Sequence, residues 1–292
     1  MTDSLIDVIR GRCQPMQPIP TGMPAEPNPL TGVRAVLFDI YGTMLISGVG
    51  DISLQESGSC ESAFREALVA SGVPAADAGR AEPAWLPETI ERHKSERLTT
   101  GVESPEVDIE SVWGDVLSRL ELDRSLRDAV DIPRLAVEYE CRVNPVWPMP
   151  GLVECLAGLR AAGLRLGVIS NAQSMTPLLF EALTGCSLAQ LGFDPGLLFY
   201  SYRYGESKPG PRMFDAAVEA LAGEGVSPAE AVFVGNDMLN DVWGAARRQF
   251  QTVLFAGDRR SLRLREGDPR VGEVQPNAVI TELVSLCECL GV

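Results

Sequence analysis

A single histidine, His93, is what this 292-residue chain has least of. Ser-His-Asp relays and multi-histidine zinc centres depend on imidazoles, so both are excluded in their usual forms. Hydrolytic chemistry must then rest mainly on carboxylates and lysine. Long apolar runs are missing too, and no stretch reaches the ~18 apolar residues that a membrane helix needs. The opening MTDSLIDVIRGRCQP carries acids and no long apolar run, so no signal peptide is expected. Basic charge is scarce: 25 Lys and Arg against 40 Asp and Glu leave a formal net charge of −15. Such a surface repels phosphate backbones, which argues against nucleic acid as a partner. A locally cationic pocket or a bound metal still admits a small anion. Of the seven cysteines only Cys287 and Cys289 are close together, and no second pair completes a metal site. Reduced thiols in a cytoplasmic protein are expected.

What is present suffices for a large core, since 45% of residues are hydrophobic. Residues 1–32 are proline-rich and read as a short helix followed by an irregular arm, an N-terminal extension. At Val33 the pattern changes. VRAVLFDI is a short β-branched apolar run, as in a buried strand of a parallel sheet. LRLGVIS (164–170), LLFYS (197–201), AVFVGN (231–236) and QTVLFAG (251–257) repeat it. Helical patterns lie between, such as GLVECLAGLRAAG closed by Gly163. Ser227 to Glu230 forms a capping box of at most one turn. Alternating strands and helices predict an α/β fold with a doubly wound, Rossmann-like parallel-sheet core. Residues 49–147 interrupt it with amphipathic helices. Ile109, Val112, Trp113, Val116, Leu117 and Leu120 keep a helical period behind Asp108 as N-cap, and Ala63, Phe64, Ala67 and Leu68 keep one before Gly72. The expected organisation is a core of 33–48 and 148–292, with a helical cap of 49–147.

Active sites of such sheets lie at the C-terminal strand ends. Four polar clusters fall there: Asp39-Ile40-Tyr41-Gly42-Thr43, Ser170-Asn171, Lys208, and Gly235-Asn236-Asp237 running on to Asp241. A carboxylate in that position can attack an electrophile and form a covalent intermediate that water later cleaves. Asp39 is the candidate nucleophile, with Lys208 compensating the buried acids. Thr43, Ser170 and Asn171 offer neutral donors to substrate oxygens. Asp237 and Asp241 suit an oxygen-ligated Mg²⁺.

Together these clusters resemble the haloacid dehalogenase superfamily, whose motifs are an aspartate nucleophile in DxDx[TV], then Ser/Thr, Lys and an acidic fourth motif. The match assigns Asp39, Thr43, Ser170, Lys208 and Asp241 to catalysis. Two departures pull in opposite directions. The second aspartate of the phosphatases, the acid for the leaving oxygen, is Tyr41 here. DxYGT is similar to the 2-haloacid dehalogenases, whose halide leaves unprotonated. Their caps supply an arginine toward the substrate, a part for which Arg92 is the candidate. The fourth motif carries Asn236 where metal-dependent members have an acid, yet Asp237 and Asp241 keep it acidic. On the phosphatase reading Asp39, the Tyr41 carbonyl, Asn236, Asp237 and Asp241 are candidate Mg²⁺ ligands, and Tyr41, Gly42 and Asn171 face substrate.

The leading expectation is Mg²⁺-dependent hydrolysis of a small phosphorylated metabolite. The alternatives are a metal-independent 2-haloacid dehalogenase and a catalytically silent binding protein of the same fold. The expected partner is a small anionic substrate, without nucleic acid or membrane, and a homodimer is left open. His93 reads as surface, and Trp85, Trp113 and Trp147 as core. Arg259, Arg260, Arg263 and Arg265 read as a solvated loop or lid.

Overall fold

A computed structural model describes residues 4–49, 57–272 and 274–292. The chain runs through β1 (Ala35–Phe38), β2 (Leu45–Ser47), β3 (Val146–Pro148), β4 (Arg165–Ser170), β5 (Phe193–Tyr200), β6 (Ala231–Gly235), β7 (Gln251–Phe255) and β8 (Ala278–Ile280). Six of these form one parallel sheet in the order β5-β4-β1-β6-β7-β8. Every residue of β1 and β6 is buried, which explains their unbroken apolar runs: helices cover both faces, so no side chain needs to alternate toward water. Two core clusters reflect those faces, one with Val36, Phe38 and Val232, the other with Ala35, Leu37 and Phe233.

Register places the chemistry. Phe38 lies beside Val168 of β4 and Val234 of β6, so the residues that follow on all three strands emerge at one edge. β1 is central, and the chain leaves it on one side for β4 and β5 before returning on the other as β6. Such a switch point opens a crevice at the carboxyl ends of the strands.

The helical insertion lies between β2 and β3, which pair antiparallel with Leu45 opposite Pro148. Its helices Ser57–Ala70, Trp85–Leu98, Ile109–Ser118 and Ile132–Val143 pack on a cluster of their own around Phe64, Leu68, Trp113 and Leu135. Trp113 is fully buried, stacking on Phe64 and meeting Tyr139 edge-on. Asp108 caps Ile109–Ser118 by accepting from the Glu110 amide, as the sequence predicts. Ser227 closes a capping box over the single turn Pro228–Glu230.

Three strands were not marked by any run in the sequence. β2, β3 and β8 have three residues each, too short to show a period, and depend on partners distant in sequence. The N-terminal arm, from residue 4 on, is tied to the core. Its helix Leu5–Arg12 buries Val8 and Ile9, Thr21 donates to the Ala256 carbonyl, and Glu26 bridges Val279 of β8. Among the described residues no helix is long and apolar enough to cross a membrane.

Candidate active site

Asp39 stands one residue beyond β1, buried, with its amide donating to the Val234 carbonyl of β6. The Lys208 ammonium spends its three protons on Asp39 Oδ1 at 2.7 Å, Asp241 Oδ1 at 2.6 Å and the Ile169 carbonyl at 3.0 Å. Burial alone would lower the Lys208 pKa, but the Asp241 and Asp39 charges overcome it and hold the pKa above its ordinary value. Asp39 Oδ2 receives no hydrogen bond from the described residues.

Asn171 fixes the lysine from behind: its Oδ1 accepts the Lys208 amide at 2.6 Å. Asp241 lies in a π-helical turn, Met238–Trp243, a distortion common where backbone is shaped around a site. Gly235 makes room for it, because a Cβ there would collide with the Asp241 carboxyl. Burial pushes Asp241 upward from its ordinary pKa; Lys208 opposes this, while Asp39 and Asp237 add to the rise.

The other expected residues divide. Ser170 is fully buried at the end of β4, and its hydroxyl has no partner among the described residues. Thr43 is also fully buried, and its hydroxyl donates to Asn236 Oδ1 at 2.9 Å. Asn236 in turn donates to the Ser261 carbonyl at 2.6 Å. Gly42 has φ +82°, and a Cβ there would strike Ser261, so glycine permits both the turn and the close approach. The Tyr41 phenol meets Thr176 Oγ1 at 3.0 Å, and burial, with Glu140 adding to it, pushes its pKa far upward.

One expectation is corrected. Arg92 does not reach the site: half exposed on the insertion, it pairs with Asp115 at 2.6 Å and with Glu96. His93 shares that Asp115 at 2.8 Å. Asp237, a candidate metal ligand, lines the cavity beside Asp241. Its carboxylate caps the π-helical turn through the Leu239 and Asn240 amides and takes a bidentate fork from Arg265.

Asp39, Lys208 and Asp241 open onto a cavity of about 350 Å³. Its wall includes residues the sequence reading did not assign: Ser47, Glu106, Glu140 and Asn144, and Ser261, Arg263 and Arg265 from the loop after β7. That loop follows a strand end, which is a usable signal, although its arginines read as a solvated loop or lid. Glu106 and Glu140 come from the insertion, where no local pattern marks them.

Among the described residues no group of three or more His, Cys, Asp and Glu side chains is arranged to hold a metal. Asn236 and Asp237 are turned to other partners. Asp39 and Asp241, adjacent across Lys208, are the two carboxylates left, and they fit a hard cation that takes its remaining ligands from water and substrate.

Solved structures share this architecture. A 2-haloacid dehalogenase from Pseudomonas syringae pv. Tomato DC3000 superposes with a TM-score of 0.57 at 22% identity, covering 89% of this chain and 98% of its own. A HAD phosphatase from Thermococcus onnurineus does so with 0.51 at 23%, covering 89% and 98%. At such identities the likeness concerns the fold. Two proteins named glyceraldehyde 3-phosphate phosphatase match locally. That of Methanopyrus kandleri is 30% identical over 106 residues, 36% of this chain and 42% of the relative. That of Methanothermobacter thermautotrophicus is 34% identical over 107 residues, 37% and 44%. The chain thus spans less than half the length of these relatives. The family model for haloacid dehalogenase-like hydrolases matches residues 33–247. With that match over most of its length, and an aspartate, a lysine and a second aspartate joined at the strand ends, the chain belongs to the haloacid dehalogenase-like hydrolases.

Proposed function

We propose that this hydrolase removes phosphate from a small phosphorylated metabolite through a covalent aspartyl phosphate on Asp39. One observation carries the reading: Lys208 grips Asp39 by Oδ1, and Oδ2 accepts no hydrogen bond from the described residues, which leaves it free to attack. The lysine holds Asp39 in place and offsets the phosphoryl charge that approaches it. The Ser170 hydroxyl, without a partner among the described residues, would donate to a phosphoryl oxygen. Arg263 stands in the cavity wall, where an anionic substrate would meet a cation among the carboxylates. The locally matching relatives named as phosphatases support the same chemistry. When bound, Mg²⁺ would be held by Asp39 and Asp241 and would reduce the charge repulsion between nucleophile and phosphate. The helical insertion, as a cap over the site, would exclude water and select the substrate.

Dehalogenation remains the second reading because Tyr41 replaces the acid of the phosphatase motif and its phenol is committed to Thr176. One experiment separates the two. Purified protein is assayed on phosphate esters and on short 2-haloacids, each with Mg²⁺ and with EDTA, beside Asp39→Asn. The proposal expects phosphate release that requires both Mg²⁺ and Asp39. Halide release undiminished by EDTA would replace it with dehalogenation.

A further inference from the structure

A phosphatase needs a proton for its leaving oxygen, and position 41 does not supply one. The Tyr41 phenol is bonded to Thr176 and holds its proton far too tightly near neutral pH. Another donor must reach the cavity. Two carboxyls from the insertion line it, Glu106 and Glu140. Glu106 is tied down at both oxygens, one accepting the Val107 amide and the other the Ser201 hydroxyl at 2.7 Å.

Glu140 is different. It lies in the last turn of the helix Ile132–Val143, just before the chain re-enters the core through β3, and has no ion-pair partner among the described residues. The Asn144 side chain stands beside its carboxyl and partly opposes the rise in its pKa, and Asn144 Oδ1 accepts the Ser47 hydroxyl at 2.8 Å. Ser47 is on β2 and Asn144 caps the helix, so the array spans both connections between core and insertion. All three residues line the cavity that Asp39 opens onto. Burial without a compensating cation raises the Glu140 pKa to about 7. The carboxyl therefore carries a proton for a large fraction of molecules at neutral pH, yet can release it.

We propose that Glu140 is the general acid and base of the reaction, standing in for the carboxyl missing at position 41; this rests on the phosphatase reading. In the first step an Asp39 oxygen attacks phosphorus and the bond to the leaving oxygen breaks. The Glu140 carboxyl proton passes to that oxygen, releasing an alcohol and leaving Glu140 ionised. In the second step a water oxygen attacks the aspartyl phosphate and gives one proton to Glu140. The phosphorus–Asp39 bond breaks, which restores the Asp39 carboxylate, frees inorganic phosphate and reprotonates Glu140. The insertion then supplies a catalytic group as well as walls, so turnover depends on how the two connections hold it.

The test compares an alkyl phosphate with p-nitrophenyl phosphate, whose phenolate departs without a proton, in wild type, Glu140→Gln and Glu140→Asp. With Glu140→Gln, alkyl phosphate turnover should fall by about 10²–10⁴-fold, the usual range for a general acid. The aryl ester should still give a burst of p-nitrophenol near one equivalent per enzyme, because phosphorylation proceeds and only water attack is slowed. Glu140→Asp should recover part of the alkyl rate. Wild-type rates on both esters in Glu140→Gln would overturn the inference and leave the phosphatase reading intact. A Glu140→Gln protein without even the burst would assign the residue a structural part and overturn it too. Wild-type protein that releases phosphate from neither ester would remove the phosphatase reading itself, and the inference with it.

Discussion

Lys208 and Asp241 meet at 2.6 Å with each side chain only 2% exposed. A pair so dry gains little over an apolar pair of the same shape, but losing one partner strands the other charge. Lys208→Met should lower unfolding stability by about 3–5 kcal/mol and abolish turnover, since Asp39 loses its counter-charge as well. Urea denaturation and the hydrolase assay measure the two effects. A fully active Lys208→Met protein would contradict the assignment of the site.

Tyr41 tests the vacancy in the first motif. If its phenol were the proton donor, Tyr41→Phe would lose about 10²–10⁴-fold in rate. The bond to Thr176 gives it a structural task instead. Tyr41→Phe is expected to keep most of its turnover and to lose about 0.5–1.5 kcal/mol of stability, the net value of one hydrogen bond. A rate loss above a hundredfold in a stable variant would return the acid to position 41.

Glu140 has a consequence for stability as a function of pH. Its pKa rises from 4.5 to about 7 on folding. Through that interval the folded protein binds more protons than the unfolded chain, so this group's contribution is full at acid pH and is lost as pH rises toward 7. Glu140→Gln removes the dependence. The variant should therefore gain on wild type between pH 5 and pH 8, as followed by thermal melts in matched buffers. A difference that stays flat across that range would show that the carboxyl is already ionised in the folded state.

Much of the core was readable because its signals are local. VRAVLF announces a doubly buried strand, and a polar residue straight after such a strand falls at the active edge by topology. Asp39, Lys208 and Asp241 were legible for that reason. The bond from Thr43 to Asn236 was not legible, because the two are 193 residues apart. Glu140 could not be singled out at all. Its weight comes from sharing a cavity with Asp39, a proximity created by the β2–β3 pairing, and no window along the chain contains both. Arg265 was set aside as solvated because only the fold reveals that Asp237 faces it.

The β2–β3 pairing also bears on how the molecule can be altered. Ser47 and Val146 lie opposite each other on antiparallel strands, so the insertion leaves and re-enters the core at neighbouring points. A segment with such a seam can be exchanged for another whose ends meet at hairpin spacing, with no β-strand of the sheet displaced. The core would keep Asp39, Lys208 and Asp241 through the graft. It would surrender Glu140, so each transplanted insertion would have to bring a proton source of its own.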